Sequence, residues 1–261
     1  MTDWRELSGP LAAFTLGTGP RIVFVHGFTQ TARSWQPIAE HFATAGYEAV
    51  LVDLPGHGGS SQVRADLRRG ADMLTTMVGA GTYVGYSLGG RFCLHAAVMY
   101  PHLVQRLGLI GANPGIADAD DRALRRAADD QLAAHMRDIG LEAFVREWTA
   151  QPLFGDYHCT DAELLDRLRN TVDGLESSLY LAGTGAQEPL WRRLHELAMP
   201  VLAIAGALDQ KFADIAEQIV ATVTRGTLAL TPDAAHAAHL QQPQSVVAAI
   251  LQWLTATAAV G

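Results

Sequence analysis

The sequence predicts an α/β fold, in which a mostly parallel sheet is flanked by helices and carries an inserted helical cap. Short β-branched runs alternate with helical patterns over residues 1–112 and again over 192–261, and strands that alternate with helices pair in parallel. Residues 113–191 show helical patterns only. We therefore expect one core built from two parts of the chain. The cap should lie over the carboxyl ends of the strands, where α/β sheets bind ligands.

Six short apolar runs have the composition of buried strands. Residues 21–25 (RIVFV) and 48–53 (EAVLVD) are the clearest, and the second is followed by the turn-forming segment 54–60 (LPGHGGS). In chain order the predicted strands are 21–25, 48–53, 82–86, 107–111, 200–205 and 227–230. Their nearly continuous apolar character is typical of a sheet that helices cover on both faces.

Helical patterns fill the spaces between these strands. The helix over residues 35–45 ends at Gly46 and the one over 88–100 ends before Pro101, and helices commonly stop at such residues. In the cap, a helix is predicted over 141–149. The core helices predicted in chain order are 35–45, 64–78, 88–100, 213–223 and 243–255.

The composition excludes several classes of function. Nineteen basic against 27 acidic residues give a net charge of -8, and no basic tract occurs, so no nucleic-acid partner is expected. The longest nearly apolar stretch, 197–208, contains Pro200 and is shorter than the about 20 residues that cross a bilayer, so no membrane insertion is expected. The polar start of the chain does not resemble a signal peptide, and Cys93 and Cys159 form no disulfide framework. We therefore expect a cytoplasmic protein; its oligomeric state stays open.

The segment 85–89 (GYSLG) matches the pattern G-x-S-x-G between a predicted strand and a predicted helix. A sharp turn from a strand into a helix needs glycines, because the backbone folds back on itself. It leaves the serine hydroxyl exposed at the positive end of the helix. The pattern therefore predicts that Ser87 is a catalytic residue rather than part of an ordinary glycine-rich turn.

A catalytic serine needs a histidine to accept its proton, and the histidine needs a carboxylate to orient it. After a turn of this kind the expected order along the chain is serine, acid, histidine. Asp209 directly follows the fifth predicted strand, and His236 lies in the loop after the sixth. Asp209 could instead be only a helix cap, and His239 competes with His236. We predict the triad Ser87, Asp209 and His236, with His239 in a packing role.

His26-Gly27-Phe28 follows the first predicted strand. It matches the loop that supplies one backbone N–H of an oxyanion hole, the other coming from the residue after the serine. We therefore predict the amides of Phe28 and Leu88 as the two donors. His26 and His57 are more typical of hydrogen-bonded turn histidines than of catalytic groups. The sequence has no zinc-type His/Cys spacing and no nucleotide-binding glycine motif, so neither a metal nor a nucleotide is predicted.

The motifs 26–27 and 53–60 (DLPGHGGS), together with 85–89, Asp209 and His236, resemble the α/β-hydrolase superfamily. Further stretches are similar to one family within it, the 2-succinyl-6-hydroxy-2,4-cyclohexadiene-1-carboxylate synthases of menaquinone biosynthesis. These stretches are 85–91 (GYSLGGR), 113–115 (NPG), Trp148 with 151–154 (QPLF), 183–187 (GTGAQ) with 190–191 (LW), and 209–212 (DQKF). The resemblance implies the α/β-hydrolase fold.

The resemblance also implies a carbon–oxygen lyase. In that family the triad removes a proton beside the succinyl ketone of 2-succinyl-5-enolpyruvyl-6-hydroxy-3-cyclohexene-1-carboxylate. The oxyanion hole holds the enolate, pyruvate leaves, and no cofactor is required. Arginines hold this small polycarboxylate, since a guanidinium binds a carboxylate through two parallel bonds. Matching by local motif implies Arg91, Arg125 and Arg169 here, with Tyr86 and Trp148 lining the pocket.

Each of these side chains also has a structural explanation. Arg91 lies in a first helical turn, where the positive macrodipole end opposes a cation, and this favours a bound anion. Arg125 and Arg169 have acidic residues three or four positions away, so either could form a surface ion pair. Trp148 could simply pack its helix. Thr149 differs from some members of the family, in which a tyrosine often follows the tryptophan.

Two other functions stay open. A hydrolase of an ester, thioester or carbon–carbon bond would need the same triad and oxyanion hole. An uncharged acyl substrate, however, gives no reason for three arginines. A binding protein on an inactive scaffold is disfavoured by the intact set Ser87, Asp209 and His236. Lys211 is expected on the surface.

Overall fold

The computed structural model describes residues 4–258 and contains an eight-stranded sheet with the order β1-β2-β4-β3-β5-β6-β7-β8. The pairs β1–β2 and β2–β4 are antiparallel, and the other neighbouring pairs are parallel. The strands are β1 (Arg5–Leu7), β2 (Ala13–Leu16), β3 (Arg21–Val25), β4 (Glu48–Val52), β5 (Gly81–Tyr86), β6 (Val104–Ile110), β7 (Val201–Gly206) and β8 (Gly226–Thr231). The predicted α/β fold class is confirmed.

Ten α-helices lie among the described residues, and their order follows the predicted alternation. They are α1 (Gln36–Thr44), α2 (Leu67–Val78), α3 (Leu88–Met99), α4 (Ala119–Ile139), α5 (Leu141–Thr149), α6 (Asp161–Arg167), α7 (Val172–Ala182), α8 (Gln210–Thr222), α9 (Ala238–Gln241) and α10 (Pro243–Ala258). In the described chain, no helix combines the length and the apolar character needed to cross a membrane.

The sheet is buried on both faces, as its apolar strands predict. Along β3, Val23 and Val25 join the cluster that contains residues of α2, α3 and α8. The alternate residues Ile22 and Phe24 join the cluster that contains residues of α1 and α10. Because successive side chains of a strand point to opposite faces, each parallel strand contributes to two cores.

Sequence patterns missed the two antiparallel strands at the edge of the sheet. β1 has three residues, all partly or fully exposed, and β2 has four. A strand so short has no room to show an alternation of apolar and polar residues. Its formation is instead decided by pairing, here of β2 with β4.

Helices α4–α7 lie between β6 and β7, and residues 113–191, all of them described, contain no strand. They share a small apolar cluster of their own, made of Ala133, Met136, Phe144, Leu175 and Leu179. The division into a core (1–112 and 192–261) and a cap (113–191) stays a prediction. The ends of that core, 1–3 and 259–261, lie outside the described residues.

Candidate active site

Ser87 lies on the sharp turn between β5 and α3. Its φ of 49° and ψ of -107° are uncommon for a residue other than glycine and mark local backbone strain. A Cβ on Gly85 would be 2.4 Å from the carbonyl of Gly89, and a Cβ on Gly89 would be 2.2 Å from the oxygen of Val25. The turn therefore needs glycine at both flanking positions, and it presents Ser87 to a cavity at the start of α3.

His236 lies between Ser87 and Asp209. Its Nε2 is 3.2 Å from Ser87 Oγ, and its Nδ1 is 2.9 Å from Asp209 Oδ2. A neutral imidazole in this position donates Nδ1–H to the carboxylate and accepts the serine proton at Nε2. The other oxygen of Asp209 accepts the amide N–H of Phe212 at 3.3 Å. Asp209 thus orients His236 and also caps α8.

His239, the competing histidine, is held elsewhere by packing. Its ring stacks on Trp35 with centroids 4.6 Å apart and contacts Tyr86 at 4.2 Å. Its Nε2 is 3.3 Å from Nε2 of Gln30. Gln30 also accepts the amide N–H of Gly27 at 2.9 Å, so His239 supports the loop after β3 and has no hydrogen bond to Ser87.

Residues 26–31, the β3 loop, connect β3 to a short 3-10 helix and carry Phe28. Phe28 and Leu88 both line the cavity at Ser87. Leu88 is the first residue of α3, so its N–H has no acceptor within the helix. Within residues 4–258, neither of these two amides has a hydrogen-bond acceptor. Both are therefore available to an oxygen of a bound molecule.

His26 and His57 are buried and held in one tautomer each. His26 Nδ1–H donates to the carbonyl of Gly27 at 2.8 Å, and its Nε2 accepts the N–H of Leu54 at 3.0 Å. His57 Nδ1–H donates to the carbonyl of Pro55 at 3.0 Å. His26 thus ties the β3 loop to the turn after β4, and the His57 ring meets the Phe28 ring edge-on with centroids 5.9 Å apart. Neither histidine lines the cavity.

Acidification from pH 7 to pH 5 should lower the free energy of unfolding. Burial lowers the pKa of His26 from 6.5 to about 4, and it also lowers the pKa of His57 and His239. Unfolding returns each to an ordinary pKa, so the unfolded chain binds more protons between pH 6.5 and 4. The neutral histidines therefore contribute their full stabilisation above this pH range, and that contribution is lost as the pH falls through it. The shift at His26 alone should lower the free energy of unfolding by about 2 kcal/mol between pH 7 and pH 5.

Two buried carboxyls oppose this trend. Burial raises the pKa of Asp53 and Asp166, so the folded chain takes up their protons first as the pH falls. Burial also lowers the pKa of His95, so we expect the buried histidines to dominate. Urea unfolding at a series of pH values would measure the net effect. Replacing His239 by phenylalanine keeps a ring on Trp35 and should flatten the profile. Equal free energies of unfolding at pH 7 and pH 5 in the wild type would contradict this expectation.

The cavity at Ser87 has a volume of about 400 Å³ and is bounded by both the core and α4–α7. Four basic side chains line it: Arg91, Arg125, Arg167 and Lys211. Asp129 is the one carboxylate among the described lining residues. Aromatic side chains form much of the remaining wall: Phe28, Tyr86, Trp148, Phe154 and Phe212. The cavity therefore favours an anionic molecule with an apolar part.

Arg91 is one of two deeply buried basic side chains in the cavity wall. It is 8% exposed, and its Nη1 donates to the carbonyl of Ala182 at 2.7 Å and to Oε1 of Gln187 at 3.3 Å. Burial, with repulsion from Arg125, lowers the pKa of Arg91 to about 10, so it stays charged at neutral pH. Its Nε and Nη2 have no acceptor within residues 4–258, which leaves donors for a ligand.

Asp129 fixes the direction of Arg125. This carboxylate is 1% exposed, and it accepts Arg125 Nε at 2.8 Å and the N–H of Gly185 at 3.1 Å. Arg125 thus forms the ion pair that its spacing predicts and also lines the cavity. Lys211 is exposed as expected, but it too lines the cavity.

Trp148 and Tyr86 combine a packing role with a place in the cavity wall. The Trp148 ring meets Phe28 edge-on at 5.1 Å and stacks on Phe144 at 6.1 Å. Tyr86 is buried against His236 and His239. Burial raises the pKa of Tyr86, so its hydroxyl stays protonated and can donate a hydrogen bond.

Arg169, which the family resemblance implied as a substrate-binding residue, does not line this cavity. Its side chain is 53% exposed and lies 3.7 Å from Asp166. Arg167, two residues earlier, lines the cavity instead and is 5% exposed. α6 ends at Arg167, which shares a buried face with Leu164 because residues three apart lie on the same side of a helix. The spacing of Leu164 and Arg167 was the available sequence signal, whereas Arg169 lies beyond the end of α6 and is exposed.

Related proteins were found by sequence and by structure. The alpha/beta hydrolase fold family matches residues 20–243. The 2-succinyl-6-hydroxy-2,4-cyclohexadiene-1-carboxylate synthase of Salmonella newport (strain SL254) is 33% identical over 243 residues, covering 90% of this chain and 94% of the relative. The structure of MenH from S. aureus has a TM-score of 0.87 at 27% identity, covering 99% of this chain and all of that one. A Thermogutta terrifontis esterase shares the fold at 20% identity and a TM-score of 0.79, covering 98% and 99%.

Proposed function

Because this chain belongs to the α/β-hydrolase fold family, and within it to the family of 2-succinyl-6-hydroxy-2,4-cyclohexadiene-1-carboxylate synthases, we propose that it is a carbon–oxygen lyase of menaquinone biosynthesis. Its substrate is 2-succinyl-5-enolpyruvyl-6-hydroxy-3-cyclohexene-1-carboxylate, and its products are pyruvate and the cyclohexadiene. No cofactor takes part in the proposed reaction.

The reaction is a 1,4-elimination. The C–H bond breaks at ring carbon 2, beside the succinyl ketone, and its electron pair passes through an enolate to form the double bond between carbons 2 and 3. The existing double bond shifts to carbons 4 and 5, and the bond between carbon 5 and the ether oxygen breaks. The leaving group departs as the enolate of pyruvate, which takes up one proton. Atoms and electrons balance without water, oxidant or metal.

Ser87, His236 and Asp209 move the proton. His236 accepts the Ser87 proton at Nε2, and the serine oxygen takes the proton from ring carbon 2. Asp209, bonded to Nδ1, stabilises the imidazolium that forms. The protonated pair can then return a proton to the departing pyruvate enolate. The amides of Phe28 and Leu88 hold the enolate oxygen, where negative charge develops during the reaction.

The charge of the cavity is the observation that carries this proposal. Four basic lining side chains against Asp129 leave an excess of three positive charges beside Ser87, and the substrate has three carboxylates. Arg91, Arg125 and Arg167 line the cavity, and each has guanidinium N–H groups without an acceptor among residues 4–258. Forked guanidinium groups suit carboxylates. Tyr86 and Trp148 bound the space for the ring. A hydrolase of uncharged esters would have no use for this charge.

Pyruvate release tests the proposal. Purified protein is given the enolpyruvyl cyclohexene substrate, and lactate dehydrogenase with NADH reports pyruvate as it forms. We expect saturable turnover without added metal or nucleotide. Absence of pyruvate, together with turnover of p-nitrophenyl esters, would assign the protein to the serine hydrolases, for which the same Ser87–His236–Asp209 arrangement suffices. That hydrolase, acting on an ester, thioester or carbon–carbon bond, is the second candidate.

A cytoplasmic location belongs to the same proposal. It is supported by the state of the two cysteines: Cys93 is buried in the core, and both Cys93 and Cys159 are free thiols. Free thiols are typical of proteins in reducing compartments.

A further inference from the structure

The β3 loop holds an unusual backbone conformation next to Phe28. Thr29 has a φ of 66°, in the left-handed region that a β-branched residue rarely adopts. Such a conformation persists only where surrounding contacts hold it. Within the proposed function, the Phe28 amide donates to the enolate, so the orientation of this amide depends on what holds Thr29.

The last residue of α6 and a residue that follows this helix supply the contacts that hold Thr29. Asn170, which is 4% exposed, donates from Nδ2 to the Thr29 carbonyl at 2.7 Å and accepts the N–H of Gly58 on Oδ1 at 2.9 Å. Arg167 Nη1 donates to the Thr29 hydroxyl at 2.5 Å. The hydroxyl and the carbonyl of Thr29 are therefore bonded to Arg167, the last residue of α6, and to Asn170, three residues after it.

A second contact joins α6 to the other end of the loop. The Thr31 hydroxyl lies 2.8 and 2.7 Å from the two oxygens of Asp166, to which it donates. Thr31 is 2% exposed, and its hydroxyl oxygen also accepts the N–H of Arg33 at 3.2 Å. The loop is thus fixed at Thr29 and at Thr31, on both sides of Gln30.

We propose that Asp166, Arg167 and Asn170, together the α6 clamp, position the Phe28 amide for catalysis. This inference rests on the proposed oxyanion role of Phe28. Asp166 and Asn170 are positioning residues, since neither lines the cavity at Ser87. Arg167 does line it, so a substrate carboxylate bound by Arg167 is linked through Thr29 to the oxyanion donor. Through this clamp, binding of a substrate carboxylate at Arg167 helps to hold the Phe28 amide in position.

Replacing Thr31 by valine tests the clamp, because valine has nearly the same shape as threonine but has no hydroxyl. Thr31→Val removes the bonds to Asp166 and to the N–H of Arg33, and Thr31→Ser keeps both. If the loop shifts, kcat should fall about tenfold, below the roughly 10²–10³-fold effect of deleting an oxyanion donor outright. KM should change by less than about twofold, because the loss arises in the transition state. Asn170→Ala should act in the same direction.

Hydrogen–deuterium exchange gives a readout that does not depend on the substrate. The amides of Gly27 and Gln30 are protected by bonds within the loop, so in Thr31→Val and Asn170→Ala their exchange should quicken. Peptides from β5 and β6 should exchange as in the wild type. Thr75→Val is the matched control: it removes an equally buried threonine hydroxyl, which bonds Ala71 within α2, and it should change neither kcat nor exchange in the loop.

The outcomes separate the clamp from the lyase assignment. Faster exchange and lower kcat in Thr31→Val, both restored in Thr31→Ser, would support the clamp. Unchanged exchange, or faster exchange with an unchanged kcat, would overturn it. The kcat comparison is repeated on p-nitrophenyl acetate, whose hydrolysis also needs the oxyanion donors. If the wild type released no pyruvate, the lyase assignment would fail while the ester data still decided the role of the clamp.

Discussion

Ser87→Ala should lower kcat for pyruvate release by at least about 10³-fold, with KM nearly unchanged, because a triad acts on the transition state. Asp209→Asn should be nearly as damaging, since the imidazole then loses the partner that fixes its tautomer, a change that costs about 10⁴-fold in a serine protease. Asparagine still caps α8, so the fold should be retained. Steady-state kinetics and thermal unfolding of each variant measure the two effects separately.

The double variant Ser87→Ala/His236→Ala tests whether these two residues act together in one catalytic triad or independently. Members of a triad are grossly non-additive, so the double variant should be little worse than either single one. His239→Phe is the control for the choice of histidine and should lose far less activity than His236→Ala. Multiplied losses in the double variant, or an active His236→Ala beside an inactive His239→Phe, would refute the assigned triad.

Among the four basic side chains that line the cavity, we expect replacement of Arg91 by alanine to lower activity most. Truncation leaves a substrate carboxylate unpaired in a buried site, which costs about 2–5 kcal/mol, or roughly 30- to 5000-fold in kcat/KM. Arg91→Lys keeps the charge but loses the fork, so it should still reduce kcat/KM, by less than alanine does. Turnover of a neutral nitrophenyl ester, measured beside the polycarboxylate, reports whether the loss is specific to charge recognition.

Arg126→Ala provides the control for loss of a positive charge near the site. Arg126 follows Arg125 on α4, pairs with Asp130 at 3.6 Å and does not line the cavity. Its removal should leave kcat/KM nearly unchanged, as surface ion pairs contribute little. If Arg91→Ala turned over the polycarboxylate normally, Arg91 would be a structural residue and the charge argument for the lyase would lose its main support.

The parallel part of the sheet was predictable because burial on both faces leaves a strong apolar signal. β3 and β7 were located within a residue of their observed bounds. β1 and β2 were not, because three or four residues at an edge carry too little pattern. Their conformation is decided by pairing, of β1 with β2 and of β2 with β4.

The site was predictable where local geometry restricts residue type. The glycines around Ser87, with the order of Asp209 and His236 along the chain, were enough to predict that the three side chains meet. In the structure they are in hydrogen-bond contact. Cap residues gave no such restriction. Arg167 ends α6 and bonds to Thr29 in the β3 loop, whereas Arg169 lies beyond the helix and is exposed. The spacing of Leu164 and Arg167 indicated a shared buried side, but the contact with the β3 loop follows from tertiary packing.

The mass of the ring product is the most direct test of elimination by this serine-based site. After incubation of the wild type with the enolpyruvyl cyclohexene, mass spectrometry should find the ring as the conjugated diene, which is substrate minus pyruvate. The diene and pyruvate should appear in equal amounts. A ring product that retains the elements of water, as hydrolysis at the same site would leave, would contradict the account.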